Sequence, residues 1–359
     1  MLKQTIAACL LVASGTQLFA GELETYVELG REIPPGNIAV GPEGRVFISV
    51  HEFYGLDLRM AEVFADGSTR PYPDEDWARA PNGKGLGLNG VLGLQVDRSG
   101  ILWMLDGQRE DHVGRVVGWD TKSETLHAVY SLGQPATRPT SFLNDLAVDK
   151  DHGAIYIADT GDGQNSAIVV LDTKTGQARR VLEGSRFTLP EDLPMMVDGK
   201  ELIFGGQPAR VGINPITVDP TNTWVYFGPM TSESLYRVRT RDLLDPSLSD
   251  SDLEARVERY GDKAISDGIS VDAAGNVYIT AITDNAIGVT KADGTYEVLH
   301  QSDERLSWPD GFAVGHDGYV YATVNQLQRS PVLNNGVDKS SGAYSIVRFQ
   351  SLEEAISGR

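Results

Sequence analysis

An all-β fold, a six-bladed β-propeller of four-stranded antiparallel blades, is predicted by three features of this 359-residue chain. One hairpin motif recurs six times. The intervals between copies leave room for two more strands each. No long amphipathic helical pattern interrupts them, and 39 Gly with 17 Pro supply many turns.

The copies span residues 37–50, 92–105, 144–158, 214–228, 267–280 and 310–324. Each reads as a short apolar strand, a polar turn and a second strand with an aromatic near its middle. The first strands end on Val40, Val96, Val148, Val218, Val271 and Val314, and the second carry Phe47, Trp103, Tyr156, Tyr226, Tyr278 and Tyr321. The offset from valine to aromatic is seven residues in four copies and eight in two, as expected of one hairpin made six times. Residues 168–172 and 178–182, around the turn Lys174-Thr175-Gly176, illustrate the added strand pair. Blades buried on both faces explain the weak polar alternation. The longest interval holds residues 187–210, an expected loop excursion. Closure is expected from residues 26–29 pairing with 344–349 in one mixed blade. A β-sandwich is the other all-β option, but it gives no reason for six equal hairpins.

The 31 Lys+Arg stand against 50 Asp+Glu, a formal charge of -19. Such a surface repels phosphate backbones and anionic lipid, which argues against nucleic-acid binding and membrane docking. A 41% hydrophobic content supports a packed core. Lys3, the apolar run 6–12 and the small Ala20 read as a cleaved signal peptide over residues 1–20, too short to span a bilayer. Residues 21–359 are then a single propeller domain, periplasmic or secreted. The sole cysteine, Cys9, falls in the leader, so the mature chain has no disulfide.

The first strand of each blade lines the central channel. Residues just before it and residues just after the antiparallel second strand therefore share one mouth. Four positions before the valines stand Gly36, Leu92, Asn144, Asn214, Asp267 and Asp310. Asn144, Asn214, Asp267 and Asp310, on blades three to six, form an arc of oxygen donors suited to a hard divalent cation, Ca²⁺ first. The competing reading is turn chemistry, since Asn and Asp side chains cap nearby backbone N–H groups. Asp267 and Asp310 are the candidate catalytic carboxylates. The second-strand exits add His51, Glu52, Asp106, Asp159 and Asn325 as candidate substrate-binding residues. Crowded carboxylates can raise one pKa and so provide a general base. There is no nucleophile elbow and no P-loop; Gly83-Lys84-Gly85-Leu86-Gly87 reads as a loop near the mouth.

Leu143-Asn144-Asp145-Leu146-Ala147-Val148-Asp149 with Ile155-Tyr156-Ile157-Ala158-Asp159-Thr160-Gly161 resembles the major royal jelly protein/Yellow family. So do Gly212-Ile213-Asn214-Pro215, running on to Ser234-Leu235-Tyr236-Arg237-Val238, and Trp308-Pro309-Asp310-Gly311 with Val324-Asn325-Gln326-Leu327. The resemblance covers nearly the whole mature chain and implies a secreted six-bladed propeller. Insect members are linked to dopachrome conversion and to binding small amines. A broader similarity to gluconolactonase-like propellers implies a divalent metal held in the channel by Glu, Asn, Asn and Asp. Asn144, Asn214 and Asp267 match the last three. The first-blade Glu has no counterpart at Gly36-Asn37, and Asp310 is the candidate to compensate. The resulting expectation is a monomeric, divalent-metal-dependent hydrolase of a small lactone or ester, with no nucleic-acid partner and no membrane insertion. Binding of an aromatic amine without catalysis, a dopachrome-type isomerase and a protein-interaction platform are the alternatives.

Overall fold

The computed structural model describes residues 21–81, 86–109 and 112–358. Six four-stranded antiparallel sheets form a six-bladed β-propeller. The innermost strands are Pro35–Val40, Val91–Val96, Leu143–Asp149, Ile213–Val218, Ser266–Val271 and Pro309–Val314. Each packs against the innermost strands of both neighbouring blades, and the last meets the first, so the ring is complete. The expected signal peptide, and residues 83–85 of the glycine-rich loop, lie outside the described residues.

Closure joins the two ends of the chain. Glu24–Leu29 is the outermost strand of blade six and pairs antiparallel with Tyr344–Gln350, with Glu24 opposite Arg348 and Leu29 opposite Tyr344. The Glu24–Arg348 ion pair, at 2.9 Å, spans the seam. The expected pairing of 26–29 with 344–349 is found, and the first strand starts two residues earlier, at Glu24.

In blades two, three and five the fixed offset inside the hairpin has a visible cause. A turn aspartate just after the first strand accepts a hydrogen bond from the aromatic of the second. Asp97 takes the Trp103 indole N–H at 3.1 Å, Asp149 the Tyr156 hydroxyl at 2.9 Å and Asp272 the Tyr278 hydroxyl at 3.1 Å. Blade six has Gly315 in that place and uses Asp317 for Tyr321, at 2.8 Å. Blade one has Gly41 and the phenyl ring of Phe47, which needs no acceptor. A buried phenol or indole left unpaired would be penalised by about 1–3 kcal/mol, so turn and aromatic are fixed together.

All six innermost strands carry the same irregularity. Gly36-Asn37, Leu92-Gly93, Asn144-Asp145, Asn214-Pro215, Asp267-Gly268 and Asp310-Gly311 each set two residues opposite one on the second strand. This is a β-bulge, which bends the strand and re-aims its side chains. Hydroxyls on the second strand accept the freed N–H groups in three blades: Ser49 from Asn37, Thr280 from Gly268 and Thr323 from Gly311. The −4 residues therefore sit inside the strands rather than just before them, and the −3 residues join them at the mouth.

Below the bulges the axis is closed. Ile38, Leu94, Leu146, Ile216, Ile269 and Phe312, each two residues before its valine, surround a void of only about 30 Å³. Above them, the excursion between blades three and four forms two small hairpins, Met196–Val197 with Lys200–Glu201 and Ile203–Phe204 with Gln207–Pro208. Two short helices, Thr240–Leu244 and Asp250–Glu254, lie between the outer strands of blade four. No helix among the described residues is long and apolar enough to cross a membrane.

The bulge glycines let neighbouring blades approach. A Cβ at Gly268 would stand 2.3 Å from the Asp310 carbonyl oxygen, and one at Gly311 would stand 2.2 Å from Asn37 Oδ1. Gly268→Ala and Gly311→Ala are each expected to destabilise the protein by about 1–3 kcal/mol in urea unfolding. Gly30→Ala, with no atom within 4 Å, should change it little.

Candidate functional site

The bulges gather polar groups at one mouth of the ring, where a cavity of about 650 Å³ opens. Asn37, His51, Asn144, Asp145, Asp267, Trp308 and Asp310 line it. Three of these are carboxylates, and all three are buried. Asp267 is held on both sides: Oδ1 accepts from Asn214 Nδ2, and Oδ2 accepts from the Trp308 indole N–H at 2.8 Å. Asp145 Oδ1 accepts from Asn37 Nδ2 at 2.5 Å. Asp310 Oδ2 accepts from Asn325 Nδ2 at 2.6 Å. The remaining oxygens, Asp145 Oδ2 and Asp310 Oδ1, have no hydrogen-bond partner among the described residues.

Trp308 links strain to position. Its backbone has φ +58°, a left-handed conformation uncommon outside glycine. The indole bond to Asp267 and the following Pro309, which begins the innermost strand of blade six, hold it there.

Burial dominates the electrostatics, because the ionised forms lose water. It pushes the Asp267 carboxyl up to about 6, against the pull of the Trp308 and Asn214 hydrogen bonds. Asp145 is raised well above the usual range by burial and then by the charge of Asp267, opposed by Asn37. Asp310 is raised likewise by burial and then by Asp267 and Asp145, opposed by Asn325. Burial lowers His51 to about 3, so its ring is neutral at the cavity wall. Its Nδ1 accepts the Phe53 N–H at 3.2 Å.

The sequence-derived residues separate into two groups. Asn144, Asp267, Asp310 and His51 share the cavity wall. Asn214 and Asn325 stand behind it as donors to Asp267 and Asp310. Glu52, Asp106 and Asp159 are not on the wall. Glu52 pairs with Arg109. Asp106 pairs with Arg115 at 2.7 Å and accepts the N–H groups of Asn89 and Gly90, just before its blade's first strand. Asp159 pairs with Arg180 and accepts the N–H groups of Phe142 and Gly161. For these last two, turn chemistry describes the role the structure gives them. Asp145, Asn37 and Trp308 were passed over. The signal for the first two was their −3 position, which a bulged strand exposes together with −4.

The mouth offers oxygen donors of the kind a hard cation takes. No group of three or more His, Cys, Asp or Glu among the described residues is arranged to hold a metal ion unaided. The amides matter for that reason. Asn214 is 1% exposed, its Nδ2 is committed to Asp267, and its Oδ1 has no hydrogen-bond partner. A buried amide oxygen in that state carries a desolvation penalty that a cation or a ligand donor would relieve. The side-chain donors of Asn144, Asp145, Asp267 and Asp310 on the wall include seven oxygens, the chemistry that a hard cation takes.

A protein-family profile described as "Major royal jelly protein" matches residues 89–358. Among curated proteins, major royal jelly protein 1 of Apis mellifera is 23% identical over 287 residues, covering 73% of this chain and 64% of that protein. Major royal jelly protein 7 of the same species is 19% identical over 332 residues, covering 82% of this chain and 72% of that protein. The chain thus spans about two thirds of the length of these relatives. Similar solved folds include a calcium-binding protein, regucalcin, from Agrobacterium tumefaciens, with TM-score 0.58, 14% identity and coverage of 95% and 98% of the two chains. A luciferin-regenerating enzyme has TM-score 0.60, 11% identity and coverage of 94% and 98%. A putative gluconolactonase has TM-score 0.54, 11% identity and coverage of 92% of each chain.

The pH dependence of stability follows from the raised carboxyls. The folded state holds protons that the unfolded chain releases near its ordinary carboxyl pKa, so this contribution to stability is lost as pH rises from about 4 through 6 and above. Asp145→Asn and Asp310→Asn should each flatten that decline in thermal melts measured across this range without added metal. The neutral His51 acts in the opposite sense, its contribution being lost as pH falls from about 6.5 towards 3.

Proposed function

Because this chain belongs to the major royal jelly protein family and carries three buried carboxylates on one cavity wall at its channel mouth, we propose that it is a divalent-metal-dependent hydrolase of a small lactone or ester. The single observation that carries the reading is the convergence of Asp145, Asp267 and Asp310 on one cavity wall, buried carboxylates that a cation would relieve. The fold neighbours named above, a calcium-binding protein and a putative gluconolactonase, support it by analogy of fold.

Asn144, Asp145 and Asp267 on the cavity wall would hold the cation, with Ca²⁺ the first choice for an all-oxygen set, and Asn214 supports Asp267 from behind. A bound divalent cation polarises a carbonyl and stabilises the charge that develops on its oxygen. Trp308 and Asn214 fix the orientation of Asp267. Asp310, which the sequence reading also took as a ligand, keeps Oδ1 for proton transfer while Asn325 steadies Oδ2. Its raised affinity for protons suits a general base near neutral pH. A water proton passes to Asp310 as the water oxygen bonds to the carbonyl carbon. The carbon–oxygen bond of the ring breaks, Asp310 returns the proton to the leaving oxygen, and the product is a hydroxy acid. The same reading takes the protein to be a secreted or periplasmic monomer acting on a small molecule.

A second reading is favoured by the aromatic residues above this acidic floor. Phe53, Phe204 and Trp308 line the cavity over the carboxylates, an arrangement that would also receive a protonated aromatic amine.

The hydrolase reading is tested by metal analysis and by turnover of a lactone and ester panel with and without chelator. Asp310→Asn should fold, retain the metal and lose about 100-fold or more in kcat/KM. Asp267→Asn should lose metal and turnover together. Metal-free protein that turns over nothing, yet binds aromatic amines saturably, would establish the second reading instead.

A further inference from the structure

The cavity wall is chemically lopsided. Around blade three it is mostly polar, with Thr140, Ser141, Thr160 and Gln164 beside the single aromatic ring of Phe142. Facing the carboxylates from elsewhere, Phe53, Met195, Leu202, Trp308 and Leu327 line the cavity and belong to one apolar cluster. Met195 and Leu202 come from the excursion between blades three and four, which forms a roof over this part of the mouth. Its tip residue Phe204 stacks on Phe53 of blade one, with ring centroids 5.9 Å apart and 23° between planes. Phe204 lines the cavity and still remains 47% exposed. The charged groups of the roof are committed elsewhere. Asp198 accepts from Gln328 at 3.1 Å and pairs with Arg329 at 2.9 Å, which clips the roof to the segment following blade six's second strand. Arg210 pairs with Asp192 at 2.9 Å and Glu201 at 3.2 Å.

We infer that the substrate is an amphiphile: a lactone or ester bearing an alkyl or aryl group of several carbons. The apolar group lodges beneath the roof against the Phe53–Phe204 pair, and the carbonyl end reaches the carboxylates. This rests on the hydrolase reading and names its substrate class. Two observations carry it, the apolar cluster that forms one side of the cavity and the half-exposed aromatic stack at its rim. A sugar lactone fits this side poorly. Hydroxyls turned toward Phe, Met and Leu side chains would lose water and gain no hydrogen-bond partner.

The test separates binding from turnover. Calorimetry would follow 2-alkylcyclopentanones, which resemble lactones and are not hydrolysed, from methyl to octyl, with calcium and with chelator. The full-length mature protein would be used, beside turnover of the matching alkyl lactones and of glucono-δ-lactone. Affinity is expected to rise about fourfold for each added methylene that is buried. Phe204→Ser and Leu202→Ser should flatten that slope while unfolding with wild-type cooperativity. Affinity that ignores chain length, or faster turnover of glucono-δ-lactone than of the alkyl lactones, overturns the inference. Chain-length-dependent binding with no lactone turned over supports the amphiphilic pocket and overturns only the hydrolase reading.

Discussion

One backbone irregularity, repeated in all six innermost strands, is the constraint on which the mouth of this propeller depends. A regular strand turns alternate side chains to opposite faces, so adjacent residues could not both face the axis. The bulge removes that restriction by setting two residues against one. It lets Asn144 and Asp145 both line the cavity, and likewise Gly36 and Asn37. The same bend brings neighbouring strands so close that Gly93, Gly268 and Gly311 have no space for a Cβ. Polar groups and glycines at the mouth are thus two results of one geometry.

What the bulges gather is electrostatically unfavourable in the absence of a ligand. Three buried carboxylates face a common space, and two of them are perturbed by the charge of the third. The fold offers amide donors from Asn37, Asn214 and Asn325 and the indole of Trp308, but no lysine or arginine bonds to them among the described residues. By contrast, Glu52, Asp106 and Asp159 each have an arginine partner. The two sets thus differ in kind: one is neutralised by the fold's own cations, the other is held only by neutral donors and shifted toward its protonated form.

The architecture was legible because a physical tie enforces its signature. Tyr156 must reach Asp149, and Trp103 must reach Asp97, so the distance along the chain from strand to aromatic hardly varies. The closing strand was legible because the ring must close: Tyr26–Leu29 precedes the first repeat, Tyr344–Phe349 follows the last, and the two pair in one blade. The site was legible in part. Asn144, Asp267 and Asp310 emerged from a fixed position in each repeat, whereas Asp145 and Asn37, one position further along, share the mouth only because the strand is bulged. Asp106 and Asp159 looked equivalent to them in sequence. What distinguishes them is the identity of distant partners, Arg115 and Arg180, which no local pattern reveals.

The plug of Ile38, Leu94, Leu146, Ile216, Ile269 and Phe312 has a consequence for traffic. A void near the size of a single water molecule cannot serve as an exhaust, so the chamber above it is a cul-de-sac. Whatever enters beneath the excursion hairpins must back out along the same route, and incoming molecules compete with departing ones for a single doorway. An occupant that leaves slowly would therefore set the pace for the next arrival, whatever the speed of events at the floor.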